Sequence, residues 1–388
     1  MLLGAPRLAA RSRRHRTRHS STVTCRSFVG SRDRGSLLAT SDILTESRTS
    51  HKRWLSTPGA PGHDEDSRRR CRTVGTSPSS RRDRPAVLYI GGSGRSGSTL
   101  LESLLGEMPG VVVLGEVAHL WERGVRLDEL CACGEHFSAC PFWSEVGELA
   151  FGGWSHVDLD RVTFLKDAVD RQRRMLRTAR RRAAPEVHDL AQEYAALFVS
   201  IYRAAREISG ARVVIDSSKV APTALALSHH DELDLRVLHI VRDSRGVAFS
   251  WSKHVARPET GGTEDMPRLT GRQSTQLWLS HNLALSAVAH RGVPLARIRY
   301  EDLLHDVSGT IDAVWRRLDL PPPAVLPMLD EHTVELHPTH SVAGNPMRFR
   351  TGTTRLQPDT EWREAMGTRE RRIVTAMSLP LLKYYGYV

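Results

Sequence analysis

The sequence predicts an α/β fold of three layers, α/β/α, with a central and mainly parallel sheet and a helical insert. Three observations predict it. Five short apolar runs are spread along the chain, each is followed by polar or helically spaced residues, and a glycine-rich loop joins the first run to the first helix. Strands that alternate with helices pair in parallel, because each crossover is long enough to hold a helix.

The first run is Ala86-Val-Leu-Tyr-Ile90, followed by the loop Gly91–Gly97 and by Ser98-Thr-Leu-Leu-Glu-Ser-Leu-Leu105, whose leucines recur at helical spacing. Val111–Leu114 reads as the second strand, Arg212–Ile215 as the third, Leu235–Val241 as the fourth and Leu295–Tyr300 as the fifth. The insert lies between the second and third. There Val187, Leu190, Tyr194, Leu197, Ile201, Ala205 and Ile208 fall at steps of three and four, and residues 158–183 are basic on one side. Such helices either cover a sheet face or cap an active site, and the sequence leaves both readings open.

The formal net charge of +11 suggests a nucleic-acid binder until it is divided along the chain. Residues 1–84 hold 19 of the 55 basic residues and only 7 of the 44 acidic ones, which leaves 36 and 37 for residues 85–388. The larger part is near neutral, so the basic footprint of a nucleic-acid-binding domain is missing and no specific nucleic-acid partner is expected. Residues 1–84 are rich in Arg, Ser, Thr and Gly without a sustained apolar period. They are expected to form a disordered basic extension ahead of one domain at 85–388. An organellar transit peptide or an over-extended reading frame would have the same composition. No run of about 18 apolar residues occurs, which excludes a membrane-spanning helix and leaves a cytoplasmic location as the expectation.

The strongest chemical signal is Gly91-Gly-Ser-Gly-Arg-Ser-Gly-Ser-Thr-Leu100. A loop of this kind between a strand and a helix turns successive backbone N–H groups and a helix N-terminus towards one point, which suits a phosphate. The fold is P-loop-like to that extent. The triphosphatase pattern, however, requires Lys where Ser98 stands, and the cation sits instead at Arg95. Handling of a γ-phosphate is compromised by that change, whereas binding of a nucleotide 5′ anion is not. The candidate binding residues are Gly94, Arg95, Ser96, Gly97, Ser98 and Thr99. Two alternatives stand: a kinase or triphosphatase with Thr99 and Asp216 holding magnesium, and a nucleotide-binding interaction protein without catalysis.

Arg95-Ser-Gly-Ser-Thr99 after a strand resembles the 5′-phosphosulfate loop of the sulfotransferase family. A second resemblance lies in Leu238-His-Ile-Val-Arg242 through Ser250-Trp251, where a strand ends in Arg and a helix presents Ser eight residues later. Both side chains can converge on one phosphate, by resemblance the 3′-phosphate. The pattern is nearest to bacterial enzymes and the tyrosylprotein branch. In that branch a Gly-Glu pair after the second strand supplies the proposed base, matched here by Glu116, and a lysine thought to contact the transferred group is matched by Lys219. As one of five lysines among 55 basic residues, Lys219 carries more information than any one arginine. His340–Gly352 is similar to the loop that closes over the nucleotide, which assigns Arg348, Arg350 and Gly352 to the 3′-phosphate. Arg299-Tyr-Glu-Asp-Leu303 also recurs in the family and reads as structural.

The resemblance implies 3′-phosphoadenosine 5′-phosphosulfate as the donor and adenosine 3′,5′-bisphosphate as the product, with no metal required. It implies an acceptor hydroxyl, or less readily an amine, on a small molecule, glycan, lipid or peptide. Glu116, Arg95 and Lys219 would act on the reacting groups.

Cys131-Ala-Cys133-Gly-Glu-His136-Phe-Ser-Ala-Cys140 gathers three of the five cysteines within ten residues. Three thiols and His136 would supply four tetrahedral zinc ligands, although the spacing matches no common zinc finger. A local disulfide, and reduced cysteines that pack a loop, compete with that reading. A reducing compartment counts against the disulfide. Of the scattered histidines, His254 is the one near a candidate site, four residues after Ser250.

Overall fold

The computed structural model describes residues 84–388 apart from 181, 261 and 322–324. The extension expected over residues 1–84 therefore lies outside the described residues, save for residue 84.

Five parallel strands form the central sheet: β1 (Ala86–Gly92), β2 (Val111–Val113), β3 (Val213–Lys219), β4 (Asp234–Val241) and β5 (Leu295–Arg299). Their order is β2-β3-β1-β4-β5, with Leu88 of β1 opposite Ile215 on one side and Arg236 on the other. Every residue of β1 is buried. Val87 and Tyr89 enter one apolar layer, and Leu88 and Ile90 enter the other. A strand covered on both faces has to be apolar throughout, which is why Ala86–Ile90 reads as a continuous run.

The layer of Leu88 and Ile90 is completed by the helices Ser98–Gly106, Tyr300–His305 and Val307–Arg317. The opposite layer holds Pro141–Phe151, Leu159–Val169, Pro185–Ser209, Ala221–Leu227 and part of Gly271–His290. The insert belongs to that layer. Its long helix buries Tyr194, Phe198, Tyr202 and Ala205, and none of the described residues among 158–209 lines the cleft described below. The described residues of 158–209 cover the sheet and do not cap the site.

Two features differ from the sequence reading. β3 continues four residues past Ile215, because its polar end is satisfied inside the protein: Tyr202 and Ser218 donate to Asp216, and Ser217 donates to buried Glu102 at 2.5 Å. A second, antiparallel sheet is formed by β6 (Met328–Asp330), β7 (Thr333–Leu336) and β8 (Gly352–Arg355). Its strands are short and mostly polar, with Val334 and Leu336 packed into the layer of Leu88.

β3 and β4 flank β1 on opposite sides, so the loops that leave the carboxyl ends of these strands diverge and open a crevice. Each of the five strands delivers one side chain there. Glu116, Lys219, Arg95, Arg242 and Tyr300 stand at or within three residues of the ends of β2, β3, β1, β4 and β5 respectively.

Candidate active site

All five of these residues line one cleft of about 430 Å³, together with Gly94, Gly97, Ser98, Thr99, Ser250, Trp251 and Arg350. The loop after β1 takes its shape from close aromatic neighbours. Gly97 has φ +91°, and an added Cβ would lie 2.3 Å from Tyr300 Cδ2. A Cβ on Gly94 would lie 2.9 Å from Trp251 Cζ2, on the ring that the Arg95 guanidinium covers at 5.0 Å. The helix Ser98–Gly106 starts without a side-chain cap, so its first N–H groups and its positive end are left for an anion. Ser96 does not line the cleft; it is buried, and its N–H closes the turn onto the Ser93 carbonyl at 3.2 Å.

Arg242 spans the floor between the two halves of the site. Its Nη1 donates to the Arg95 carbonyl at 3.1 Å, its Nη2 donates to Asp359 Oδ2 at 2.9 Å, and the guanidinium covers the Tyr300 ring at 4.7 Å. Ser250, on the helix Ser244–Ser252, faces the same cleft. The ion pair that competes with a phosphate is thus Arg242 with Asp359, not with Asp216 or Asp243. Asp216 is fully buried, committed to Tyr202 and Ser218, and does not line the cleft, which leaves no support for a magnesium-holding role.

On the other side of β1, the Lys219 ammonium donates to Glu116 Oε1, and His119 Nε2 stands 3.6 Å from Oε2. Burial pushes the Glu116 carboxyl up, but Lys219, His119 and Arg123 together outweigh it and hold the group below its ordinary value. Glu116 is therefore a carboxylate at neutral pH. Lys219 and Arg95 both occupy left-handed backbone, at φ +73° and +69°. For residues with a Cβ that conformation costs about 1 kcal/mol, a strain that the surrounding structure has to hold. Glu116 is seated by the chain at Ser341–Val342: its N–H donates to the Val342 carbonyl at 2.9 Å, and the Val342 N–H donates to the Leu114 carbonyl at 3.0 Å. Gly115, at φ +81°, makes the turn possible, since a Cβ there would lie 2.3 Å from the Val342 carbonyl oxygen.

The segment expected to close over a nucleotide divides in two. Arg350 lines the cleft with Gly344, Asn345 and Met347. Arg348 and Gly352 do not line it. The Arg348 side chain, 2% exposed, pairs with Glu259 at 2.7 Å and donates to the Leu130 carbonyl at 2.9 Å. That arginine braces the loop from behind. His254 pairs with Asp265 at 2.7 Å in an exposed position outside the cleft. Arg123, Trp251, Met266, Tyr300 and residues 354–357 also line the cleft and were given no site role from sequence. Trp251 stands next to Ser250 on the helix Ser244–Ser252, and Tyr300 belongs to the Arg299–Leu303 motif that reads as structural from sequence but here brings its ring to the cleft.

A three-layer α/β/α sheet whose carboxyl edge gathers a glycine-rich loop, two arginines and an ion-paired carboxylate defines an enzyme built around an anion-binding cleft. Residues 86–324 match the sulfotransferase family. The chain belongs to that family, and its reaction is sulfuryl transfer. No curated protein gives a significant match. Among solved structures the chain is similar to the sulfotransferase domain from the curacin biosynthetic pathway, at 18% identity over 76% of this chain and 98% of that one, with a TM-score of 0.40. It is similar also to the sulfotransferase domain of the Synechococcus PCC 7002 olefin synthase, at 19% identity over 78% and 97%, with a TM-score of 0.39. A sulfotransferase from Mycobacterium tuberculosis matches at 15% identity over 62% and 69%, with a TM-score of 0.34.

Proposed function

We propose that the enzyme transfers the sulfuryl group of 3′-phosphoadenosine 5′-phosphosulfate to an acceptor hydroxyl, or less readily an amine, and releases adenosine 3′,5′-bisphosphate. The observation that carries this reading is that Arg95 and Arg242 line one cleft, joined by the 3.1 Å hydrogen bond from Arg242 to the Arg95 carbonyl. Two cationic side chains that line one cleft from the ends of adjacent strands suit the two anionic ends of a single adenosine nucleotide.

The 5′ end fits the loop, where Gly94 and Gly97 let the turn pack against Trp251 and Tyr300, the uncapped helix offers N–H groups, and Arg95 supplies charge. The 3′-phosphate goes to Arg242 and Ser250, with Arg350 reaching the same cleft. Arg348 has no part in it, because its guanidinium is committed to Glu259. In the transfer, Glu116 takes the acceptor's proton as the acceptor oxygen bonds to sulfur. The bond from sulfur to the bridging oxygen breaks, and its electron pair leaves on the 5′-phosphate of the product. Arg95, Lys219 and the loop N–H groups stabilise that growing charge. Lys219 thus serves twice: it keeps Glu116 ionised before the acceptor arrives, and it faces the leaving group afterwards.

The acceptor is a small molecule, glycan, lipid or peptide that bears such a hydroxyl or amine. Incubation with labelled donor and a panel of such acceptors tests the reading. Label is expected on an acceptor with release of the bisphosphate, and Glu116→Gln should lower that release by about 10²-fold or more while the nucleotide still binds. Phosphoryl transfer from magnesium ATP in place of sulfuryl transfer is the contrary result.

A further inference from the structure

Three cysteines and a histidine that the reaction does not use meet at the base of the loop that seats Glu116. Cys131 and Cys140 are fully buried and Cys133 is partly exposed; none is in a disulfide. Cys140 Sγ stands 3.7 Å from Cys131 Sγ, 3.7 Å from Cys133 Sγ and 3.3 Å from His340 Nδ1. Cys131 Sγ is 3.9 Å from the same nitrogen, and all four ligand atoms lie within 4.8 Å of one another. A tetrahedral zinc ion, with Zn–S near about 2.3 Å and Zn–N near about 2.0 Å, demands S···S edges of about 3.8 Å and S···N edges of about 3.5 Å. The four short edges fall around those values.

The surroundings suit an ion as well. The His340 ring stacks on Phe142 at 4.8 Å and 12°, and its backbone carbonyl accepts from Trp143 Nε1 at 2.7 Å, so the imidazole is held in place. Three thiolates and one imidazole form a soft donor set that favours zinc over magnesium or calcium.

We infer that Cys131, Cys133, Cys140 and His340 bind one zinc ion, in a closed structural site with four protein ligands. His136, the ligand that local spacing suggested, is not one of them: its Nδ1 lies 2.7 Å from the Asp128 carbonyl on an exposed turn. Because the fourth ligand comes from residue 340, the ion crosslinks the 131–140 knuckle to the chain that continues into Val342 and Gly344. Val342 pairs with Leu114 and Glu116, and a Cβ on Gly344 would lie 2.8 Å from Glu116 Oε1. Zinc therefore clamps the backbone against which Glu116 is seated. Binding releases the thiol protons, so affinity rises with pH. The site stands independently of the donor proposed above.

The test uses the full-length chain, expressed with zinc in the medium and purified under reducing conditions through a tag free of histidine. About one zinc per chain is expected by plasma mass spectrometry, and exchange with cobalt should give the intense visible absorption of a tetrahedral thiolate site. Cys131→Ser and His340→Ala should lose the metal, and His136→Ala should keep it. The wild-type metal content and cobalt spectrum decide the matter even where a variant does not fold. Clearly substoichiometric zinc without a tetrahedral cobalt spectrum overturns the inference, as does zinc retained by His340→Ala and lost by His136→Ala.

Discussion

Lys219 holds the Glu116 carboxylate from the adjacent strand end, with each side chain only 13% exposed. Burial alone would favour the neutral acid at such a site, and Lys219 is the largest of the influences that reverse it. Since the folded-state pKa of Glu116 is lowered, the pair contributes stability that is present above the ordinary glutamate value of 4.5 and is lost as pH falls through the lowered value. The acid limb of kcat/KM is accordingly expected below pH 4.5. In Lys219→Met the burial effect is unmasked, so that limb should move to higher pH while kcat falls. A pH–rate profile of both proteins checks this, and an unmoved limb would assign the ionisation to another group.

Arg242 is the residue expected to tell a 3′-phosphate from its absence. Arg242→Ala should weaken adenosine 3′,5′-bisphosphate by about 10–100-fold, as a lost charge-assisted hydrogen bond requires, and weaken 5′-AMP much less. Equal weakening of both nucleotides, measured by calorimetry, would remove the 3′-phosphate assignment.

Asp359 occupies Arg242 Nη2 at 2.9 Å with its own side chain 30% exposed. An anion arriving at Arg242 meets that carboxylate as a like charge. Asp359→Asn should therefore tighten the bisphosphate by about threefold to tenfold at low salt, with a smaller gain at high salt. Weaker binding in the variant would mean that Asp359 positions Arg242 and does not oppose the ligand.

Gly97 combines positive φ with a ring 2.3 Å from where a Cβ would stand. Gly97→Ala should lose nucleotide binding and lower the melting temperature, since the left-handed backbone alone costs about 1–2 kcal/mol. Gly367→Ala, at a negative φ of −55° with nothing within 4 Å of the added carbon, is the control expected to change little.

The parts of this molecule legible in sequence are those encoded by neighbours in the chain. The strand, glycine loop and helix around Arg95 could be read because all three lie within twenty residues, and the run ending at Arg242 could be read for the same reason. What escaped depends on distant partners. Arg348 reads as a phosphate ligand until Glu259 and the Leu130 carbonyl are seen to claim it. His136 has the right spacing for a metal ligand, yet the fold brings His340 to the cysteines across 200 residues. Asp216 through Lys219 falls outside the apolar run Arg212–Ile215 because its residues are polar, and here Tyr202 and Glu102 satisfy Asp216 and Ser217 within the strand.

The central claim is that one cleft grips both ends of a doubly phosphorylated adenosine between Arg95 and Arg242. Calorimetric titration with adenosine 3′,5′-bisphosphate, in EDTA, measures it most directly on the wild type, Arg95→Ala and Arg242→Ala. Tight metal-independent binding that each substitution weakens at least tenfold is predicted. Binding that needs magnesium and prefers ATP, or that is indifferent to Arg242→Ala, contradicts it.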